Sequence, residues 1–116
     1  MSLAAVFRAV QECRAKPSGD PQRIIVLLAP SGFGLPLLYR ELLRRRGAVL
    51  VPAGQLDQAR LGFLKFLAHR TRVVPLLMAS ADAWRRWCQR RTIEAAQIRR
   101  RTYLVAELDA PFSDNT

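Results

Sequence analysis

Seventeen arginines and a single histidine set the chemistry open to this 116-residue chain. Acid–base, nucleophilic and metal chemistry each need particular side chains at particular spacings, and few are present. Glu12, Glu41, Asp57, Asp82 and Glu94 fall in predicted helices without the paired spacing that suits acid–base work. Arg40 and Arg44 flank Glu41, and Arg90 precedes Glu94 by four residues, so ion pairs and helix-dipole contacts are the expected roles. Ser31, in "APSGFG", does not stand in a G-x-S-x-G frame, because Ala29 takes the first glycine's place. His69 lies at a predicted helix end, where a capping contact is expected rather than catalysis. Cys13 and Cys88 form no C-x-x-C, and one histidine leaves a zinc site short of ligands. Both cysteines fall on apolar helix faces and are expected as buried free thiols of a reducing compartment. No catalytic residue, cofactor or metal ligand is expected.

What the chain has in quantity is positive charge. The formal net charge is +10 and the pI near 11.4. Sixteen basic and four acidic residues between 23 and 101 leave that stretch at +12. A basic domain attracts polyanions: nucleic acid, an anionic membrane surface or an acidic protein face. Lys16 and Lys65 are the only lysines, and the arginine fork suits bidentate contact with phosphate or carboxylate. A genome rich in arginine codons would give the same excess with no role attached. The densest stretch is "WRRWCQRRTIEAAQIRRR", 84–101. On a helical wheel Trp84, Cys88, Ala95 and Ile98 cluster, with Trp87 at the margin, while Arg86, Arg90, Arg100 and Arg101 spread over the opposite side. Arg91 falls on the apolar side and must snorkel or find a partner. The tryptophans are expected as core anchors rather than base-stacking platforms. "RELLRRRG" adds Arg40, Arg44 and Arg45 as candidate phosphate contacts.

Residues 29–36, A-P-S-G-F-G-L-P, join an apolar run to an amphipathic segment. Aligned on Gly34, they resemble the Walker A loop of the P-loop NTPases, RecA-like domains included. The resemblance covers one motif and the strand–turn–helix context, and it implies an α/β fold with a phosphate cradle at Ser31, Gly32 and Gly34. The departures carry the chemistry. Leu35 stands where the family has its phosphate-binding lysine, and Pro36 where a hydroxyl holds magnesium. A degenerate, non-hydrolysing domain is what the resemblance implies; a plain strand–helix turn is the simpler reading.

The elements that must position these residues follow from periodicity and turn residues. Leu3, Val6, Phe7, Val10 and Cys13 predict a helix over 3–15, and "KPSGDP" a loop over 16–21. "RIIVLLA", 23–29, reads as a strand covered on both faces. A helix is expected from about Pro36 to Arg46, closed by Gly47, then strands at 48–52, 72–78 and 102–108. Pro75 predicts an edge position, a bulge or an early strand end. A helix at about 55–69 is expected to bury Leu56, Ala59, Phe63, Phe66 and Leu67. Ser80 predicts the cap of a further helix, interrupted near Thr92. Residues 109–116 read as a frayed acidic tail.

Alternation of this kind predicts one small three-layer α/β domain, with about four mostly parallel strands flanked by about four helices. No apolar run is long enough to span a bilayer, and no targeting segment is evident, so a cytoplasmic location is expected. The functional expectation is a non-enzymatic basic module that associates with nucleic acid through Arg40, Arg44, Arg45, Arg86, Arg90, Arg100 and Arg101. The alternative is a regulator that binds the acidic surface of another protein on an inactive P-loop-like fold.

Overall fold

The computed structural model describes residues 3–17, 19–28, 40, 44, 47–52 and 58–108. The glycine turn with Ser31, Gly32 and Gly34, together with Arg45, Arg46 and the tail 109–116, lies outside the described residues. The elements are α1 (Leu3–Ala15), β1 (Ile24–Leu28), β2 (Ala48–Pro52), α2 (Gln58–Arg70), β3 (Val74–Ala79), α3 (Ala81–Gln89), α4 (Ile93–Arg101) and β4 (Thr102–Glu107). The strands form one sheet in the order β2-β3-β1-β4, and every pairing is parallel. The predicted α/β architecture is the one found.

β1 shows why an unbroken apolar run becomes a central parallel strand. Ile25 and Leu27 pack with Val6, Phe7, Val10 and Cys13 of α1 on one face. Ile24 and Val26 pack with Leu61, Leu64, Trp87, Ala95 and Ile98 on the other. A strand sandwiched in this way has no solvent face to mark with polar residues. Each fully buried Ile or Leu side chain contributes about 1.5–3 kcal/mol of transfer free energy. α2, α3 and α4 therefore lie on one face of the sheet and α1 on the other. The β1–β2 connection carries Arg40 and Arg44, both helical and exposed.

Three expectations are corrected. Pro75 is fully buried in an interior strand, between β2 and β1. The Val74 N–H donates toward β2, to the Gly47 carbonyl at 2.8 Å, so alternation turns the Pro75 nitrogen toward β1. The β1 ladder begins one residue later, at Ile25–Leu76, and the missing donor falls where no ladder bond is due. In α2 Leu67 is buried as expected, but among the described side chains its buried companions are Leu61, Leu64 and Ala68, whereas Phe63 and Phe66 are 48% and 55% exposed; Leu56 and the burial of Ala59 lie outside the described residues. Apolar residues circle much of this helix, so two adjacent stripes satisfy the three- and four-residue spacing, and packing against Ile24, Val26 and Leu77 selects one. Finally, Arg90 and Arg91 leave the helix altogether, so a single wheel over 84–101 does not apply. Arg91 is exposed and need not snorkel, and Trp87, only 8% exposed, is an anchor rather than marginal.

The caps explain the break. Ser80 Oγ accepts from the Ala83 N–H at 3.1 Å and opens α3. Thr92 Oγ1 accepts from the Ala95 N–H at 3.2 Å and opens α4. Each satisfies one orphan donor of a helix start. The β1–β4 register shifts between Ile24–Thr102 and Ile25–Leu104, leaving Tyr103 as an extra residue. Its hydroxyl donates to Glu12 Oε2 at 2.7 Å and ties β4 to α1.

Candidate polyanion interface

In a parallel sheet every helix-to-strand junction lies at the same edge, the one where the strands begin. In this chain each junction is basic. Arg14, Lys16 and Arg23 precede β1, Arg44 precedes β2 with Arg45 and Arg46 after it in sequence, His69, Arg70 and Arg72 precede β3, and Arg99, Arg100 and Arg101 precede β4. Among the described residues the opposite edge carries no such charge: Ser80 and Asp82 follow β3, and Glu107 ends β4. Cations at helix C-termini complement the helix dipole, which accounts for Arg14, Arg70 and the α4 arginines. Arg23 and Arg72 stand at strand starts and are not explained that way.

Local contacts hold several of these groups in place without neutralising them. Arg23 donates through Nε to the Asp20 carbonyl at 3.1 Å, and through Nη2 to the carbonyls of Lys16 at 3.1 Å and Pro17. Arg101 donates through Nη1 to the Gln97 carbonyl at 3.2 Å and through Nε to His69 Nε2 at 3.3 Å. An imidazole nitrogen that accepts such a bond must be unprotonated. Partial burial first, then the charges of Arg101, Arg23 and Lys65, push the His69 pKa below its ordinary value. Arg14 lies along the backbone of Gly47, whose φ is +103°. The carboxylates that reach this edge are engaged: Asp20 pairs with Lys16 at 3.2 Å, and Glu12 accepts from Tyr103.

The predicted site residues divide. Arg100 and Arg101 join the basic edge, with Arg101 half-buried there. Arg86 and Arg90 are exposed on and after α3; Arg99 donates to the Cys88 carbonyl, which brings the end of α3 beside the end of α4. Arg40 is exposed on the β1–β2 connection. Sequence reasoning missed Arg14, Arg23, His69 and Arg72, because it looked for charge along helix faces. The signal was present in "RAK", "RRRG", "HRTR" and "RRR", each placed just before a strand.

Other groups on the molecule are less suggestive of chemistry. Trp84 and Trp87 stack with centroids 5.5 Å apart and anchor α3 to the core. Cys13 and Cys88 are free; Cys13 is buried as expected, whereas Cys88 is only partly buried, packed against the core on the opposite face of the sheet. Burial pushes the Cys13 thiol up to about 11 and raises Cys88 as well. Among the described residues, no group of three His, Cys, Asp or Glu side chains is placed to hold a metal ion, and no helix is long and apolar enough to cross a membrane. In comparisons with protein families, curated proteins and solved structures, nothing matches this chain.

Proposed function

We propose that this chain is a non-enzymatic binding protein that holds nucleic acid along its basic strand-entry edge. One observation carries the reading: every strand of the sheet is entered through basic residues. Charges gathered along one edge act together on a polyanion, whereas single exposed charges are screened within about 8 Å at physiological salt. Arg86, Arg90, Arg100 and Arg101 extend the surface over the α3–α4 side, and Arg40 and Arg44, exposed on the β1–β2 connection, add to its charge. The free thiols suit a reducing compartment, so we assign the protein to the cytoplasm. The P-loop resemblance adds a structural idea only. The crevice between the carboxyl ends of β1 and β3, whose connections leave in opposite directions, is where α/β sheets bind ligands, but Leu35 and Pro36 remove the hydrolytic groups.

Fluorescence anisotropy with labelled single- and double-stranded DNA and RNA over a salt series tests the reading. Affinity should fall linearly with log salt. On duplex DNA, Arg100→Ala plus Arg101→Ala should reduce the slope by about 0.9 for each phosphate the variant no longer neutralises. No binding at low salt refutes it.

A second reading is favoured by a different observation. Phe63, Phe66 and Ile93 are exposed, Ile93 by 73%, and Ile93 shares a cavity with Gly62 and Lys65 of α2. Exposed apolar groups beside a cavity lined by both Lys65 and Glu94 fit a protein partner that presents an apolar surface with charges of either sign. A pull-down that loses its partner on Phe66→Ser while nucleic-acid binding is absent would establish it.

A further inference from the structure

The basic edge is not flat. Between the end of α1, the start of β1 and the α2–β3 junction lies a cavity of about 330 Å³, lined by Arg14, Lys16, Arg23, His69, Thr71 and Arg72. That volume is at the lower end of small-ligand sites, which run from about 300 to 1,000 Å³. It admits one phosphate and part of the group that bears it. No carboxylate is among the described residues that line it. Arg14 and Arg72 make no hydrogen bond among the described residues, and Arg23 uses Nε and Nη2 on carbonyls, which leaves Nη1 open. Gly47 matters here: a Cβ at that position would meet Arg14 Nη1 at 2.8 Å, so its missing side chain is what lets the Arg14 guanidinium lie on the cavity wall.

The geometry points to a site for a phosphate monoester, held as a dianion between the guanidinium groups of Arg14, Arg23 and Arg72. Three planar forks around one cavity match the tetrahedral oxygens of phosphate. Four cations with one partnered carboxylate, Asp20, favour a doubly charged group over the singly charged phosphodiester of a chain interior. The site is a pocket within the basic edge and shares Arg14, Arg23 and Arg72 with it, but inorganic phosphate can fill it whether or not a nucleic acid lies along that edge; the terminal phosphate of a nucleic acid is one source of the group, and a small phosphorylated molecule is the other.

His69 is the only histidine, and its imidazole lines the cavity, so its ring signals report on occupancy without labelling the site. Charged groups facing it are Arg101 from α4, Arg23 from the β1 entry and Lys65 from α2, with Arg14, Lys16 and Arg72 around the same cavity. The test is an NMR titration of His69 with inorganic phosphate at constant ionic strength, against chloride. The expected result is a saturable shift of the ring signals and a rise in the His69 pKa, since the dianion offsets the surrounding charge. Arg72→Ala should weaken binding about tenfold, the usual effect of losing one charge-assisted hydrogen bond. Arg8→Ala, an exposed charge elsewhere on α1, should change it by less than about twofold. A 5′-phosphorylated oligonucleotide that moves His69 where its 5′-hydroxyl twin does not assigns a nucleic-acid end as the source. Response to inorganic phosphate alone assigns a small molecule. Phosphate with no effect beyond chloride, or oligonucleotides acting alike with and without the terminal phosphate while inorganic phosphate does nothing, overturns the proposal.

Discussion

Glycine-to-alanine exchange at two positions of this protein should have opposite signs. Gly47, just before β2, has φ +103°, a conformation that costs an L side chain on the order of 1–3 kcal/mol. The added Cβ would also meet Arg14 Nη1 at 2.8 Å, Cζ at 3.0 Å and Cδ at 3.2 Å. All three atoms belong to one exposed, flexible side chain, so that clash is relieved by movement of Arg14. Lower entropy of the unfolded chain returns about 0.4–1 kcal/mol. The net expectation for Gly47→Ala is a loss of about 1–2 kcal/mol. Gly62 sits in the middle of α2 with nothing within 4 Å of its would-be Cβ, and alanine there should add about 0.5–1 kcal/mol. The two variants thus differ by roughly 2–3 kcal/mol, or about 10 °C in Tm for a domain of this size. Urea and thermal unfolding followed by circular dichroism measure both. A Gly47→Ala variant as stable as the parent would refute the backbone argument. Recovery of the loss in Gly47→Ala plus Arg14→Ala would move the cause from the backbone to the Arg14 contact.

Other perturbations follow from the core and from the titrating groups. Ile98→Ala empties a fully buried position and should cost about 2–5 kcal/mol, against about 0.5–1.5 kcal/mol for Ile98→Val; denaturant midpoints of the two variants check the ratio. Alkylation at pH 8, followed by mass spectrometry, should label Cys88 before Cys13, whose buried thiol is pushed up to about 11; equal rates would mean that α1 opens readily. His69 titrates below its ordinary value in the folded protein, so the unfolded chain binds the proton first as pH falls. Its contribution to stability is therefore full above about pH 6.5 and declines as pH drops toward the folded value. His69→Gln should flatten that part of the stability–pH curve, and an unchanged slope would contradict the assigned environment.

Much of the fold was legible because each local signal had a single reading. "RIIVLLA" admits no polar face, so a strand buried on both sides follows. Ser80 precedes an amphipathic stretch by one residue and caps it as expected, and the expected interruption falls just before Thr92. Where a signal had two readings, packing decided. The apolar residues of α2 allow two stripes, and only the surface offered by Ile24, Val26 and Leu77 turns Leu61 and Leu64 inward and Phe63 and Phe66 outward. Pro75 looked like an edge residue because a proline lacks a ladder donor, but the strand can be interior if that nitrogen falls before the ladder starts.

The candidate site shows the same division. Residue types alone determined that the protein is strongly basic, that its charge is carried by arginine, and that charge clusters in short runs. Whole helices and strands separate those runs along the chain, and a helical wheel relates only neighbours within one helix. What brings Arg14, Arg23, His69, Arg72 and Arg101 together is the parallel sheet. Parallel strands all begin at one edge, so residues that share nothing but their place before a strand become neighbours in space.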